Sequence, residues 1–308
     1  MIIRDWTAEK ARAFGRETLT FDHDLHTRPL FSDEGLAEAL EAYPRSRLGV
    51  FTMSEDPSDW SSWRKGQADD LSGQDLLVAA KAGRIWLNLR EANRYLAPYA
   101  DLADEVFAEK EAQVPGLKTF KRDVGLLISS AKAHVSYHLD VPLVSLWQVR
   151  GVKRVWVYPP ADPYVGEEDL EKIVLRESAE QFPYQPAWDQ GAQMVELTPG
   201  RMVTWAQNAP HRIENGPMLN VSLSMEFMTP PALVRANVIY ANGVLRRRAG
   251  LRPRLAEGLG PANLGKLIVA RGAKALKLQQ PHERILPATF RLDPAQPGVT
   301  LPVAGTNP

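Results

Sequence analysis

The sequence predicts an α+β fold in which a β-rich sandwich or barrel is framed by helices on both sides. Three observations carry this. Residues from about 118 to 228 break into short apolar runs separated by turn residues, the mark of strands that close into a sandwich or barrel. The first third instead carries helical spacings with capping residues, and the chain turns helical again after Pro230. The composition, 44% hydrophobic and 24% charged over 308 residues, suits a globular chain able to bury a large core without disulfides.

In residues 1–117, a mixed, mainly helical region expected to pack on the core, Ser32-Asp33-Glu34 starts a helix with Leu36, Leu40 and Tyr43 at helical spacing. Arg47 to Met53 reads as a strand, and residues 54–68 as a polar, turn-rich loop holding Trp60 and Trp63. Ser72 caps a helix that runs through Lys81 and closes at Gly83. Arg84 to Leu89 alternates as a strand, and Glu91 to Ala112 reads as one amphipathic helix. The expected core, 118–230, offers strands at Asp123 to Ser129, His134 to Asp140, Val144 to Val149, Lys153 to Tyr158, Met194 to Leu197, Met202 to Trp205, His211 to Glu214 and Leu219 to Phe227. Residues 231–286 hold two helices, Ala232 to Arg248 and Ala262 to Lys277, and 287–308 read as an extended tail rich in Pro, Gly and Thr.

Composition excludes several functions. The 37 basic and 37 acidic side chains cancel, so no global field favours nucleic acid or an acidic membrane. The run Arg246-Arg247-Arg248, with Arg252 and Arg254, is local and reads as a solvated helix end. The lack of cysteine removes thiol nucleophiles, Cys-ligated zinc and iron–sulfur clusters. Met1 to Gly15 has no apolar core and no stretch is apolar enough to span a membrane, so a cytoplasmic protein is expected.

The chemistry centres on Tyr137-His138-Leu139-Asp140. On a strand, His138 and Asp140 share a face and offer two ligands of a two-histidine, one-carboxylate metal triad. With 6 histidines and 37 acids such a pair is expected by chance, and a core His–carboxylate hydrogen bond would look the same. A third ligand must come from another strand. His211 qualifies, because Ala209-Pro210 keeps the backbone extended into it. Lys153 shares a strand face with Val155 and Val157, where an unpaired ammonium is costly unless a carboxylate ligand meets it. A lysine that snorkels to water at the strand start is the alternative. His134, four positions before His138, competes as a ligand; His23 and His26 read as a capped loop or surface cluster.

Together these residues resemble the JmjC (jumonji-C) and cupin-like oxygenases: His138-x-Asp140, then Gly151-x-Lys153-Arg154 thirteen to sixteen positions after His138, then Pro159-Pro160, with Pro199-Gly200 eleven positions before His211. The likeness covers roughly residues 84–228 and is nearest the asparaginyl hydroxylase branch. It implies a double-stranded β-helix (jelly-roll) core with flanking helices, and an enzyme that uses Fe(II), 2-oxoglutarate and O2 to hydroxylate a protein side chain or small molecule. It implies Fe(II) on His138, Asp140 and His211, and the distal carboxylate of 2-oxoglutarate on Lys153. Ser136 matches an assisting hydroxyl residue, though one position off the usual spacing. Trp86 and Asn88 fall on a strand that contributes to the same pocket, with Trp86 in place of a tyrosine. Asn220, Ser222 and Ser224 alternate onto one face of the strand after His211. Arg201 after the Pro-Gly turn, Asn208 to Pro210 before the histidine, Val144 and Glu226 depart from that branch and leave the substrate open.

Two other readings stand beside this one: a cupin metalloenzyme that does not use 2-oxoglutarate, which would have no need of Lys153, and a non-catalytic binding or regulatory module of the same fold. Leu233, Val238, Ile239 and Val244 on the C-terminal helices serve either a homodimer face or packing onto the barrel.

Overall fold

The computed structural model describes residues 1–56, 59, 62–68, 70–178, 180–256, 258–278 and 287–303; Trp60 lies outside them. Strands and helices alternate through the chain as α1 (Ala8–Ala13), β1 (Leu19–Asp22), α2 (Asp33–Ala42), β2 (Gly49–Thr52), β3 (Arg64–Gln67), α3 (Gly73–Ala82), β4 (Ile85–Leu89), α4 (Ala92–Tyr95) and α5 (Ala97–Gln113). Then come β5 (Phe120–Ser129), β6 (His134–His138), β7 (Leu143–Arg150), β8 (Lys153–Val157), α6 (Glu167–Val174), β9 (Gln193–Leu197), β10 (Arg201–Thr204), β11 (His211–Asn215) and β12 (Asn220–Met228). The chain closes with α7 (Pro230–Ala249), α8 (Pro261–Ala275), β13 (Ala288–Leu292) and β14 (Thr300–Pro302).

This is a mixed α+β architecture built on two sheets. The larger runs β1-β10-β7-β12-β5-β4-β2-β3-β13-β14 and the smaller β6-β11-β8-β9. The strands from β5 to β12 are shared between them: β5, β7, β10 and β12 enter the large sheet, β6, β8, β9 and β11 the small one. All of these pair antiparallel.

Alternation along the strands makes two cores. Val144, Leu146 and Val203 of the large sheet meet Val155, Val157, Val195, Leu197 and Ile213 of the small one, with Trp205 and Ala209. Trp147, Val149, Val221, Leu223, Met225 and Phe227 point to the other face of the large sheet and pack with Leu36, Leu40, Leu76, Leu77, Val106 and Phe107 of the helices. Both faces of β7 and β12 are therefore buried.

Several local expectations are met by identifiable interactions. The Ser32 hydroxyl caps α2, and Ser72 with Asp75 forms a full capping box on α3. Gly151 takes φ +73°, and a Cβ there would lie 2.3 Å from the Leu219 carbonyl oxygen, so the turn into β8 requires glycine. Others are corrected. The single helix expected over Glu91 to Ala112 breaks at Leu96, because Pro98 cannot donate to the helix before it and sits instead in the first turn of α5. The 54–68 loop contains β3, whose polar Arg-Lys-Gly-Gln carries no strand periodicity. The tail contributes β13, parallel to β3 with Phe290 packed onto Gly66, and β14; the large sheet thus crosses residue 117 and reaches past 287. Among the described residues no helix is long and apolar enough to cross a membrane.

Candidate metal centre

His138 and His211 face each other in register on β6 and β11, with ring centroids 4.1 Å apart. Asp140 lies beyond the end of β6, so the turn rather than strand alternation aims its carboxylate. Asn208, with φ +64°, donates its amide to the Asp140 carbonyl at 3.0 Å. Gln207 reaches the carbonyls of Val141 (2.8 Å) and Ala232 (3.1 Å), tying that turn to the start of α7. The outcome is a cluster whose three ligand atoms lie within 4.8 Å of one another, with His211 Nε2 3.4 Å from Asp140 Oδ2.

The donor set fits a divalent cation. His138 Nδ1 lies 2.8 Å from the Ser136 carbonyl and His211 Nδ1 3.1 Å from that of Ala209. With the ring protons held there, each Nε2 keeps its lone pair. Burial pushes the Asp140 carboxyl up and the 2% exposed His211 imidazole well below its ordinary value, so the site without a cation favours uncharged groups. A divalent ion reverses that preference for the carboxylate and uses both neutral imidazoles.

A bulge decides the rest of β6. His211 pairs with His138 but Ile213 pairs with Val135, so three steps on β6 match two on β11. The face that alternation would have given His134, Ser136 and His138 in common is therefore broken, and His134 lies opposite Glu214. His134 is 2% exposed and outside the triad, with neither ring nitrogen hydrogen-bonded among the described residues. Ser136, within the bulge, is buried with its hydroxyl likewise unpartnered.

Lys153 opens β8 on the same face as Val155 and Val157, between the sheets, and pairs across to Asn215. It is 4% exposed and makes no hydrogen bond or ion pair among the described residues; burial pulls its pKa down to about 7. Its strand position lies four residues from Val157, the partner of His211, about 13 Å along β8. Little of its side chain reaches solvent. Asn88 pairs with Leu127, and its side-chain amide oxygen Oδ1 is buried without a donor among the described residues, near Gly125. Trp86 clusters with Phe51 (5.5 Å) and, edge to face, with Trp63 (4.8 Å), and its indole donates no hydrogen bond among the described residues. Asn220 and Ser222 are fully buried, but their side chains are committed: Gln148 donates to Asn220 at 2.7 Å and accepts from Ser222 at 2.7 Å.

Gln148 and Gln207 went unnoticed in the sequence, where nothing distinguishes them from surface amides, and Asn208 stood out only as a departure from the oxygenase pattern. A charged rim joins Glu226, another such departure, to acids that carry no sequence signal. Asp123, Glu226 and Glu180 lie near Asp140, with Arg90 among them. Burial and the neighbouring Asp140 raise the Glu226 carboxyl to about 8. A cavity of about 440 Å³ adjoins this rim, lined by Tyr43, Ser46, Arg47, Arg90, Glu91 and Asp123.

Residues expected to be bystanders have structural roles. His23 accepts from Leu25 N–H at 3.1 Å and meets the Arg201 carbonyl at 3.2 Å, while His26 bonds the His23 carbonyl. Arg246 and Arg247 clamp the buried Glu171 and join α6 to α7. Val238, Ile239 and Val244 are buried within the chain.

No protein-family model matches the sequence, and no curated protein matches it significantly. Solved structures do. The crystal structure of E. coli ycfD matches with a TM-score of 0.50 and 17% identity, over 92% of this chain and 70% of that one. Structures named as YcfD, a ribosomal oxygenase from Escherichia coli, in complex with cobalt and 2-oxoglutarate or cobalt and succinic acid, match with TM-scores of 0.48 and 0.42 at 18% and 17% identity. They cover 91% and 86% of this chain, and 68% and 64% of theirs. At such identity the likeness concerns the fold, and the chain has the fold of ycfD.

Proposed function

We propose that this protein is an Fe(II)- and 2-oxoglutarate-dependent oxygenase, a hydroxylase of a protein side chain or small molecule. The carrying observation is the conjunction of the His138–Asp140–His211 cluster with a buried, uncompensated lysine on the inner face of the same strand system. The division of β5 to β12 between two sheets supports reading the core as a double-stranded β-helix of the JmjC kind. The ycfD structure named with cobalt and 2-oxoglutarate agrees with that reading without carrying it.

His138, Asp140 and His211 would hold Fe(II) by one face and leave the remaining positions for cosubstrate and oxygen. The iron, when bound, supplies the oxidation: 2-oxoglutarate, O2 and a C–H substrate become succinate, CO2 and the hydroxylated product. The protein's own tasks are binding and exclusion. Lys153 pairs with the distal carboxylate of the cosubstrate, which restores its charge, and the unpartnered Ser136 hydroxyl and the Asn88 side-chain amide supply further polar contacts. Val155, Val157 and Leu146 keep water from the interior. Lys153 also weighs against a cupin metalloenzyme that dispenses with 2-oxoglutarate, since burying an ammonium there would serve nothing.

The test is succinate formation from 2-oxoglutarate with Fe(II), ascorbate and O2, followed by mass spectrometry. Slow uncoupled turnover is expected, absent in His211→Ala, and in Lys153→Ala demanding far more cosubstrate. Succinate at the His211→Ala level at every cosubstrate concentration would contradict the proposal.

A further inference from the structure

Each histidine of the cluster has a neighbour on the opposite face of the small sheet, and both neighbours enter one structure. Tyr137, beside His138, packs against Tyr158, Phe182, Tyr184 and Trp188, with centroids 4.9 to 5.5 Å away, and its hydroxyl donates to the Tyr164 carbonyl at 2.9 Å. Arg212, beside His211, lies 3.6 Å over the Trp156 ring and ion-pairs with Asp189. Asp189 also accepts from the Tyr158 hydroxyl and, at 2.7 Å, from the Tyr184 hydroxyl. Burial alone would raise the Asp189 carboxyl, but Arg212, Tyr158 and Tyr184 hold it below its ordinary range. Phe182, Tyr184, Trp188 and Asp189 all belong to the excursion between β8 and β9. That excursion also touches the first histidine directly. Gln181 forms a bridge with His138, and Leu139 N–H donates to the Glu180 carbonyl at 3.4 Å.

We propose that residues 180–189 form a clamp that holds the two histidines at ligand spacing, with Asp189 and Arg212 as its positioning residues. The proposal rests on reading the cluster as a metal site. The clamp acts through the backbone: fixing Arg212 and Tyr137 on the outer face fixes how far His211 and His138 project on the inner one. The ordinary alternative is an outer-face contact that only adds stability.

Titration of the full chain with Co(II) alone, read by its visible absorption, separates the two when paired with thermal unfolding. Asp189→Asn keeps the shape but loses the ion pair with Arg212, and is expected to weaken Co(II) binding by about tenfold or more. Tyr184→Phe removes one hydroxyl donor and is expected to weaken binding less, in the same direction. Glu111→Gln is the control: that carboxylate also gathers three donors, from Thr119 N–H, the Thr119 hydroxyl and Arg122, none of them on a ligand strand. It should lower the unfolding temperature and leave Co(II) affinity unchanged. Asp189→Asn and Tyr184→Phe binding Co(II) like the parent, whatever their unfolding temperatures, would overturn the clamp. Should Asp189→Asn not fold, Tyr184→Phe alone decides. A parent protein that takes up no Co(II) would instead remove the metal site, and the clamp with it.

Discussion

Replacing Lys153 with methionine should make the protein more stable and less able to bind its cosubstrate. A lysine that titrates near 7 in the fold and near 10.4 in the unfolded chain disfavours folding by up to about 4 kcal/mol at pH 7. Methionine fills similar space without charge, so Lys153→Met should gain about 1–4 kcal/mol, the lower part allowing for water reaching the ammonium. The sign with pH follows. Because the folded pKa lies below the unfolded one, the unfolded chain holds more protons between about 7 and 10.4, and stability rises with pH through that window. Lys110 behaves alike: fully buried against Phe107, Trp147 and Phe227 and bonded to Ser145, it is pulled to about 7. Each lysine contributes a slope of about 1.4 kcal/mol per pH unit in mid-window, so either single methionine variant should lower the measured slope by about that amount, on top of the opposite contribution of Glu226, raised to about 8, which fades by pH 9. Urea unfolding of the apo-protein at pH 7.5, 8.25 and 9 measures it. Adding 2-oxoglutarate with the metal should cancel the Lys153 share and spare that of Lys110. A Lys153→Met protein less stable than the parent, or with an unchanged slope, would refute the reasoning.

Two further outcomes are expected. His23 is pulled to about 4 by burial, below its unfolded value, so its contribution is complete above pH 6.5 and fades as pH falls toward 4, at most by about 3 kcal/mol. His23→Gln should flatten that part of the acid limb in urea midpoints taken from pH 6.5 to 4.5; His211 and His134 are also lowered and should keep the remainder. Gln148→Met should cost about 2–4 kcal/mol by leaving the buried Asn220 and Ser222 groups unpaired, measurable as a lower urea midpoint.

Much of this was legible because it is local. The Ser72–Asp75 cap, the alternation of β4, the apolar run of β7 and the Gly151 turn follow from short-range rules. His138 and His211 came together because strand periodicity and a proline-led entry are visible in sequence, and Lys153 because an ammonium on an apolar face is an anomaly. What depends on register was not legible. The bulge between Val135 and His138 changes which side chains share a face, and it is set by pairing with β11, where Ile213 lies 78 positions beyond Val135. Gln148 satisfies Asn220 and Ser222 across a strand pair, so a polar face expected to serve the site is bonded to itself. Residues 180–189 behind the histidines have no periodic signal, because their cohesion comes from aromatic edges meeting across loops.

The most direct measurement is anaerobic titration of the apo-protein with Fe(II) and then 2-oxoglutarate, watching for the visible charge-transfer band of the chelated cosubstrate. A band is expected that needs both reagents, vanishes in His138→Ala and weakens in Lys153→Ala. Iron uptake without a band would contradict 2-oxoglutarate as the cosubstrate, and no uptake at all would contradict the metal centre itself.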